Sequence, residues 1–212
     1  MEQTFYNASV EANNRGRPPE FDRARAVLEA ARLFWRLGYS GTSTRDLSSA
    51  IGISTSSLYS AFGSKAGLFG ESVRVYARRY TELYEKAVAA QSIRTVVDEL
   101  LRSSVIEFTQ PPDSHPGCLI TSAVMSEVPA TRKTRGGITT MLTKNERLLR
   151  DRVTTAIDEG EILGGTDADA VAGFVQANWH GLAAQAKHGV RRNELLRVAG
   201  FAQRAMWSTY SR

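Results

Sequence analysis

Four consecutive hydroxyl side chains, Ser54, Thr55, Ser56 and Ser57, open the stretch STSSLYSAFGSK, and Tyr59, Ser60 and Lys65 follow them within one short span. What such residues do well is hydrogen bonding. Hydroxyls both donate and accept, and a helix that starts among them offers free backbone amides to a phosphate. A helix lying in the major groove of DNA needs small polar side chains at its N-terminal end, because bulky ones hold the backbone away from base edges. Taken alone, such a run more often caps an ordinary surface helix. The neighbours weigh against that: Tyr59, the cationic Lys65 and a basic segment upstream.

Other reactive side chains are sparse. Cys118 is the single cysteine, so no intrachain disulfide framework exists, and with only His115, His180 and His188 beside it a Cys/His zinc site is not expected. Cys118 follows Pro116-Gly117 at the predicted start of a helix. There the amide dipole would lower a thiol pKa and make it more nucleophilic, while a lone cysteine also serves as a small buried hydrophobe. No HExxH, GxSxG, Walker or GxGxxG arrangement occurs, so neither an enzyme nor a bound cofactor is expected.

The elements that must position these residues read as helices throughout. Apolar residues recur at three- and four-residue intervals, with no sustained alternation and no Asn-Gly or Asp-Gly hairpin, which predicts an all-α fold of about nine helices. The first helix is predicted from Asp22, its N-cap, to Leu37, stopped by Gly38, with Val27, Leu28, Ala31, Phe34 and Trp35 available to the core. A second, capped by Thr42, Ser43 or Thr44, buries Leu47, Ala50 and Ile51 and ends near Gly52. A third runs from Ser54 to about Gly63. Three short helices with a glycine turn between the second and third form the helix-turn-helix pattern.

Beyond it the expected helices span Lys65 to about Ala90, Ile93 to Phe108, Cys118 to Glu127, Pro129 to about Glu159, a stretch capped by Asp167 to about His188, and Asn193 to Tyr210. Pro111, Pro112 and Pro116 mark a break, and Gly136-Gly137 invites a kink or a late start in the seventh helix.

Composition bounds the class. The chain has 212 residues, 42% of them hydrophobic, and a net charge of +5, enough for one large core and one small one. The charge concentrates in front, where Arg15, Arg17, Arg23, Arg25, Arg32, Arg36 and Arg45 face only Glu20, Asp22 and Glu29. An anionic partner fits. The first twelve residues, MEQTFYNASVEA, are polar and acidic rather than basic-then-apolar, and with the lack of a long apolar run this points to a cytoplasmic protein with no membrane partner.

Gly38-Tyr39, Thr42-Ser43-Thr44-Arg45-Asp46-Leu47, Ile51-Gly52-Ile53-Ser54, Leu58-Tyr59 and Phe62-Gly63-Ser64-Lys65-Ala66-Gly67-Leu68-Phe69 together resemble the amino-terminal signature of TetR/AcrR-type transcriptional regulators. The resemblance implies a DNA-binding domain over residues 20–68, preceded by a basic arm at 1–19 and followed by an effector-binding and dimerisation domain at 69–212. It places Thr44 and Arg45 toward DNA, Arg45 as a bidentate partner for guanine, with Thr55, Ser56, Ser57 and Ser60 toward bases or the adjacent backbone. Tyr59 and Lys65 would hold phosphates, which sets register rather than sequence. Ser56 stands where many relatives carry glycine, and Ala61 where many carry tyrosine or histidine. Arg15 and Arg17, in Arg15-Gly16-Arg17-Pro18, resemble arms that enter an A·T-rich minor groove, although a solvated tail is an equal reading.

By the same resemblance the partners are a palindromic operator in double-stranded DNA, an unidentified small-molecule effector and a second copy of the chain. The effector pocket would lie among the middle helices, lined by Phe108, Cys118, Thr121, Met125, Met141 and Trp179. The dimer would pair the last two helices through Ala177, Gly181, Ala184, Leu195, Val198, Ala202 and Met206. His180 and His188 are read as surface or interface residues rather than metal ligands.

Overall fold

The computed structural model describes residues 21–109, 117–124 and 128–210. Within them the chain forms α1 (Arg23–Gly41), α2 (Thr44–Ile51), α3 (Thr55–Phe62), α4 (Lys65–Val88), α5 (Ile93–Phe108), α6 (Leu119–Val124), a 3-10 turn (Pro129–Thr131), α7 (Arg132–Asp158), α8 (Ala168–Lys187) and α9 (Arg192–Tyr210). No strand occurs among the described residues, and the fold is all-α. The proline break at 110–116 and the last residues assigned to the sixth helix, 125–127, lie outside them.

Short polar side chains start these helices. The side chains of Asp22, Ser43, Ser54, Ser64, Ser92 and Asp167 each accept a backbone N–H three residues on, at 3.0 to 3.2 Å. Each such cap stabilises its helix by about 1 kcal/mol.

Packing then decides which faces turn inward. In α1 the buried residues are Ala26, Val27, Ala30, Leu33 and Phe34, whereas Leu28, expected in the core, is 51% exposed. Ala50 of α2 is likewise exposed, and the apolar burial of that helix comes from Leu47, fully buried, and Ile51, half-buried against the core. The stripe follows the side that meets α4, α2 and α6. Gly38 breaks α1 at φ 73, ψ 170, as its position suggested, but the chain resumes one helical turn to Gly41 rather than stopping.

Two further departures concern α7 and α9. The helix expected to kink at Gly136-Gly137 passes through both, starting at Arg132 after the 3-10 turn, and α9 begins at Arg192. Ile138, Leu149 and Val153 bury one side of α7 against α4 and α8, and that packing outweighs the poor helix propensity of glycine.

The small front core of Phe34, Leu47, Leu58, Phe62 and Phe69 continues into a larger one built from α4 to α9. α4 is shared: it packs on α1 and α3 as well as on α5 and α7. At the far end of α8, Lys187 donates its ammonium to the Trp35 and Arg36 carbonyls near the end of α1. Burial pulls its pKa below the usual lysine value.

Candidate nucleic-acid interface

Ser43 and Asp46 build the start of α2 as a reciprocal pair. The Asp46 amide donates to Ser43 Oγ at 3.1 Å, and the Ser43 amide donates to Asp46 Oδ2 at 2.9 Å. Ser43 also gives its hydroxyl proton to Asp46 Oδ2 at 2.7 Å, and these bonds hold the carboxyl below its ordinary pKa. The pair fixes the direction in which Thr44, half-buried, and Arg45, exposed, leave the helix.

Gly52 adopts φ 78, ψ 31, a left-handed conformation that a side chain would oppose, and it turns the chain from α2 into α3. Leu58 is fully buried and Phe62 nearly so, and the other sides of α3 face out. Thr55, Ser56, Ser57 and Ser60 are exposed, and Tyr59 is 46% exposed. Ser54 Oγ sits 2.8 Å from both Ser56 Oγ and Ser57 Oγ, and Ser48 Oγ lies 3.3 Å from Thr55 Oγ1. Ser56, Ser57 and Ser60 border a shallow hollow of about 490 Å³ with Phe21 and Ile53.

Lys65 opens α4 just after Gly63 and Ser64. Its Nζ lies 4.3 Å from the centre of the Tyr39 ring, and burial lowers its pKa. Gly67 permits this tight corner, because a Cβ there would stand 2.2 Å from the Phe62 carbonyl oxygen. The structure thus places Thr44 and Arg45 on α2, Thr55, Ser56, Ser57, Tyr59 and Ser60 on α3, and Lys65 at the start of α4. Arg15 and Arg17 lie outside the described residues.

Sequence reading missed two supports. Arg23 donates to the Ala61 carbonyl at 2.6 Å, pairs with Glu71 at 2.9 Å and stands 4.5 Å over the Phe62 ring, clasping the end of α3 to α1 and α4. Tyr39 supplies the platform for Lys65, held by Phe69 at 5.0 Å. Nothing local marks Arg23, whose partners lie 38 and 48 residues away. Tyr39 stood within the quoted signature without an assigned task.

The expected pocket residues separate. Trp179 lines a cavity of about 270 Å³ with Tyr80, Tyr84 and Leu100, while Phe108 packs behind it, 5.4 Å from Trp179. Met141 borders a different cavity of about 680 Å³, between the first turns of α4 and α7, with Arg23, Arg74 and Lys133. Met125 lies outside the described residues. Cys118 is buried, hydrogen-bonded toward Thr121, and burial pushes its thiol up to about 11. Desolvation outweighs the hydrogen bonds at the helix start, which corrects the expected lowering.

On the outer side, Ala177, Gly181 and Ala184 of α8 and Val198 of α9 are exposed, whereas Leu195, Ala202 and Met206 are buried within the chain's own core. Because α9 packs on both α5 and α8, two of its sides are covered. Phe174 and Phe201, 40% and 69% exposed, complete the outward apolar strip that the sequence left unassigned. Among the described residues no group of three or more His, Cys, Asp and Glu could hold a metal ion, and no helix is long and apolar enough to cross a membrane.

Residues 27–71 match the family described as bacterial regulatory proteins, tetR family, and residues 99–199 match the tetracyclin repressor-like C-terminal domain. The HTH-type transcriptional repressor ComR of Escherichia coli (strain K12) is 28% identical over 196 residues, which cover 92% of either chain. BdcR, an HTH-type transcriptional repressor of the same strain, is 27% identical over 194 residues, covering 90% of this chain and 92% of its own. Among solved structures, a cysteine mutant of the TetR family transcriptional regulator CifR, complexed with a 26-bp double-strand operator DNA, is 36% identical with a TM-score of 0.80. That match covers 90% of this chain and 99% of CifR.

Proposed function

The chain belongs to the TetR family of bacterial regulatory proteins, and from that premise we propose that it is a homodimeric repressor, released from a palindromic operator by a small molecule. The observation that carries the reading is the outward face of the capped α2–α3 unit, where Arg45 and the Thr55–Ser60 hydroxyls stand clear of the protein. On this reading Thr44, Arg45, Thr55, Ser56, Ser57 and Ser60 meet bases or adjacent backbone, Tyr59 and Lys65 hold phosphates, and Arg15 and Arg17 extend from the arm into the minor groove. Residues 20–68 form the DNA-binding domain, and 69–212 the effector and dimer domain.

The dimer forms through α8 and α9, with Phe174, Ala177, Gly181, Ala184, Val198 and Phe201 facing the partner. Two-fold symmetry then sets the two α3 helices about 34 Å apart, one DNA turn. An effector bound among α4, α5 and α8 favours a spacing that misfits the operator.

The test is selection of bound duplexes from a random DNA library by the purified protein at moderate salt, followed by sequencing. A recovered palindrome whose binding weakens steeply with added salt is the expected result. Recovery of no motif would overturn the operator reading.

A further inference from the structure

The cavity between α4, α5 and α8 contains hydrogen-bond donors that the protein leaves unused. The Tyr84 hydroxyl and Trp179 Nε1 are buried with no hydrogen-bond partner among the described residues, and the two residues are 5% and 3% exposed. Both line the same space of about 270 Å³. Tyr80, also on its wall, lies beside Ser104, whose own proton goes to the Leu100 carbonyl at 2.5 Å.

Burying a donor without an acceptor is destabilising, so two such groups on the wall of one cavity mark a place where something else supplies the acceptor. An indole N–H can only donate. Burial raises the pKa of both phenols, so they too keep their protons and donate.

The remaining walls define the rest of the guest. Glu99, Glu107 and Lys86 border the space, and its two unpartnered donors, an indole N–H and a protonated phenol, are neutral, so they bring no positive charge to match an anion. Tyr80 and Trp179 meet edge to face at 4.9 Å, and Leu83, Ala87 and Leu100 add aliphatic surface. The volume is smaller than most drug-sized sites.

We propose that this cavity takes a small, uncharged ring compound bearing a carbonyl oxygen, with Tyr84 and Trp179 donating to that oxygen and Tyr80 forming the flat wall. This assignment rests on the effector reading above and names the ligand class for it.

Calorimetry on the full chain with four probes of similar size tests it: acetophenone, cumene, benzoate and benzyltrimethylammonium. Acetophenone is expected to bind about tenfold tighter than each of the others. Tyr84→Phe and Trp179→Phe are each expected to weaken acetophenone by about five- to tenfold and leave cumene unchanged. Without any probe, Tyr84→Phe should melt no lower than the parent, because it removes an unpartnered hydroxyl. Should Tyr84→Phe fail to fold, Trp179→Phe reads the same donor set.

Equal binding of cumene and acetophenone, tightest binding of the ammonium or of benzoate, or no binding of acetophenone would overturn the proposal. Duplex binding without probes is scored separately. Acetophenone binding without operator binding would overturn the regulator reading and leave the ligand class standing. Operator binding without acetophenone binding would do the reverse.

Discussion

At the scale of single residues, Arg45 and Lys65 should separate cleanly. Arg45 is exposed at the head of α2, whereas Lys65 is anchored over Tyr39. If Arg45 reads a base, Arg45→Ala costs about 1–3 kcal/mol and relaxes preference at one base pair, while Lys65→Ala weakens all duplexes evenly and reduces the salt slope by about 1. Binding to the selected palindrome and its single-base variants measures both; unchanged preference after Arg45→Ala would remove Arg45 from base reading. Cys118 makes an opposite kind of statement. With its thiol pushed from 9.0 to about 11, the thiolate fraction at neutral pH falls roughly a hundredfold, and since the side chain is also buried, iodoacetamide labelling followed by mass should be slower than in the urea-unfolded chain by at least that order. Since the folded value lies above the unfolded one, the stability this thiol contributes is fully present below pH 9.0 and is lost as pH rises through about 11. The urea midpoint should fall across that window, and Cys118→Ala should flatten the fall.

At the scale of elements, Ser43→Ala removes the bond to the Asp46 amide and should cost about 1 kcal/mol in urea unfolding. Gly67→Ala should cost more, about 3 kcal/mol, because its Cβ meets the rigid Phe62 carbonyl at 2.2 Å rather than a mobile side chain. These positions explain what could be read in the sequence. Caps and left-handed glycines act on their own neighbours, so Asp22, Ser54, Gly52 and Asp167 announced their helices without help from the rest of the chain. Inward faces were harder. A helical stripe shows that α9 has an apolar side, but only the angles at which α5 and α8 meet it decide that Leu195 and Met206 turn in while Val198 and Phe201 turn out. Leu28 and Gly136 were misjudged for the same reason, and the Arg23–Glu71 clasp was invisible because 48 residues separate its halves. The exposed hydroxyls of α3 were legible because burial of Leu58 fixes them; the cavity walls were not, since Tyr84, Leu100 and Trp179 come from three helices.

At the scale of the molecule, the outward strip of α8 and α9 predicts its own test. Phe201 is 69% exposed, and Phe201→Glu should shift the sedimentation profile toward monomer and weaken palindrome binding, while the far-ultraviolet spectrum stays that of the parent. Lys187→Met keeps the stem and removes the ammonium that holds the Trp35 carbonyl, and should lower stability by about 1 kcal/mol in the same urea assay, the contact being only partly buried. These features share α8, a rod roughly 30 Å long by its rise per residue. Trp179 faces the cavity, Ala177, Gly181 and Ala184 face outward, and Lys187 grips α1. A stiff helix with three tasks cannot adapt to one without disturbing the others. Substitutions along it should therefore combine non-additively in double-mutant comparisons, and lineages that acquire a new ligand through α8 should drift in operator affinity even with α2 and α3 untouched.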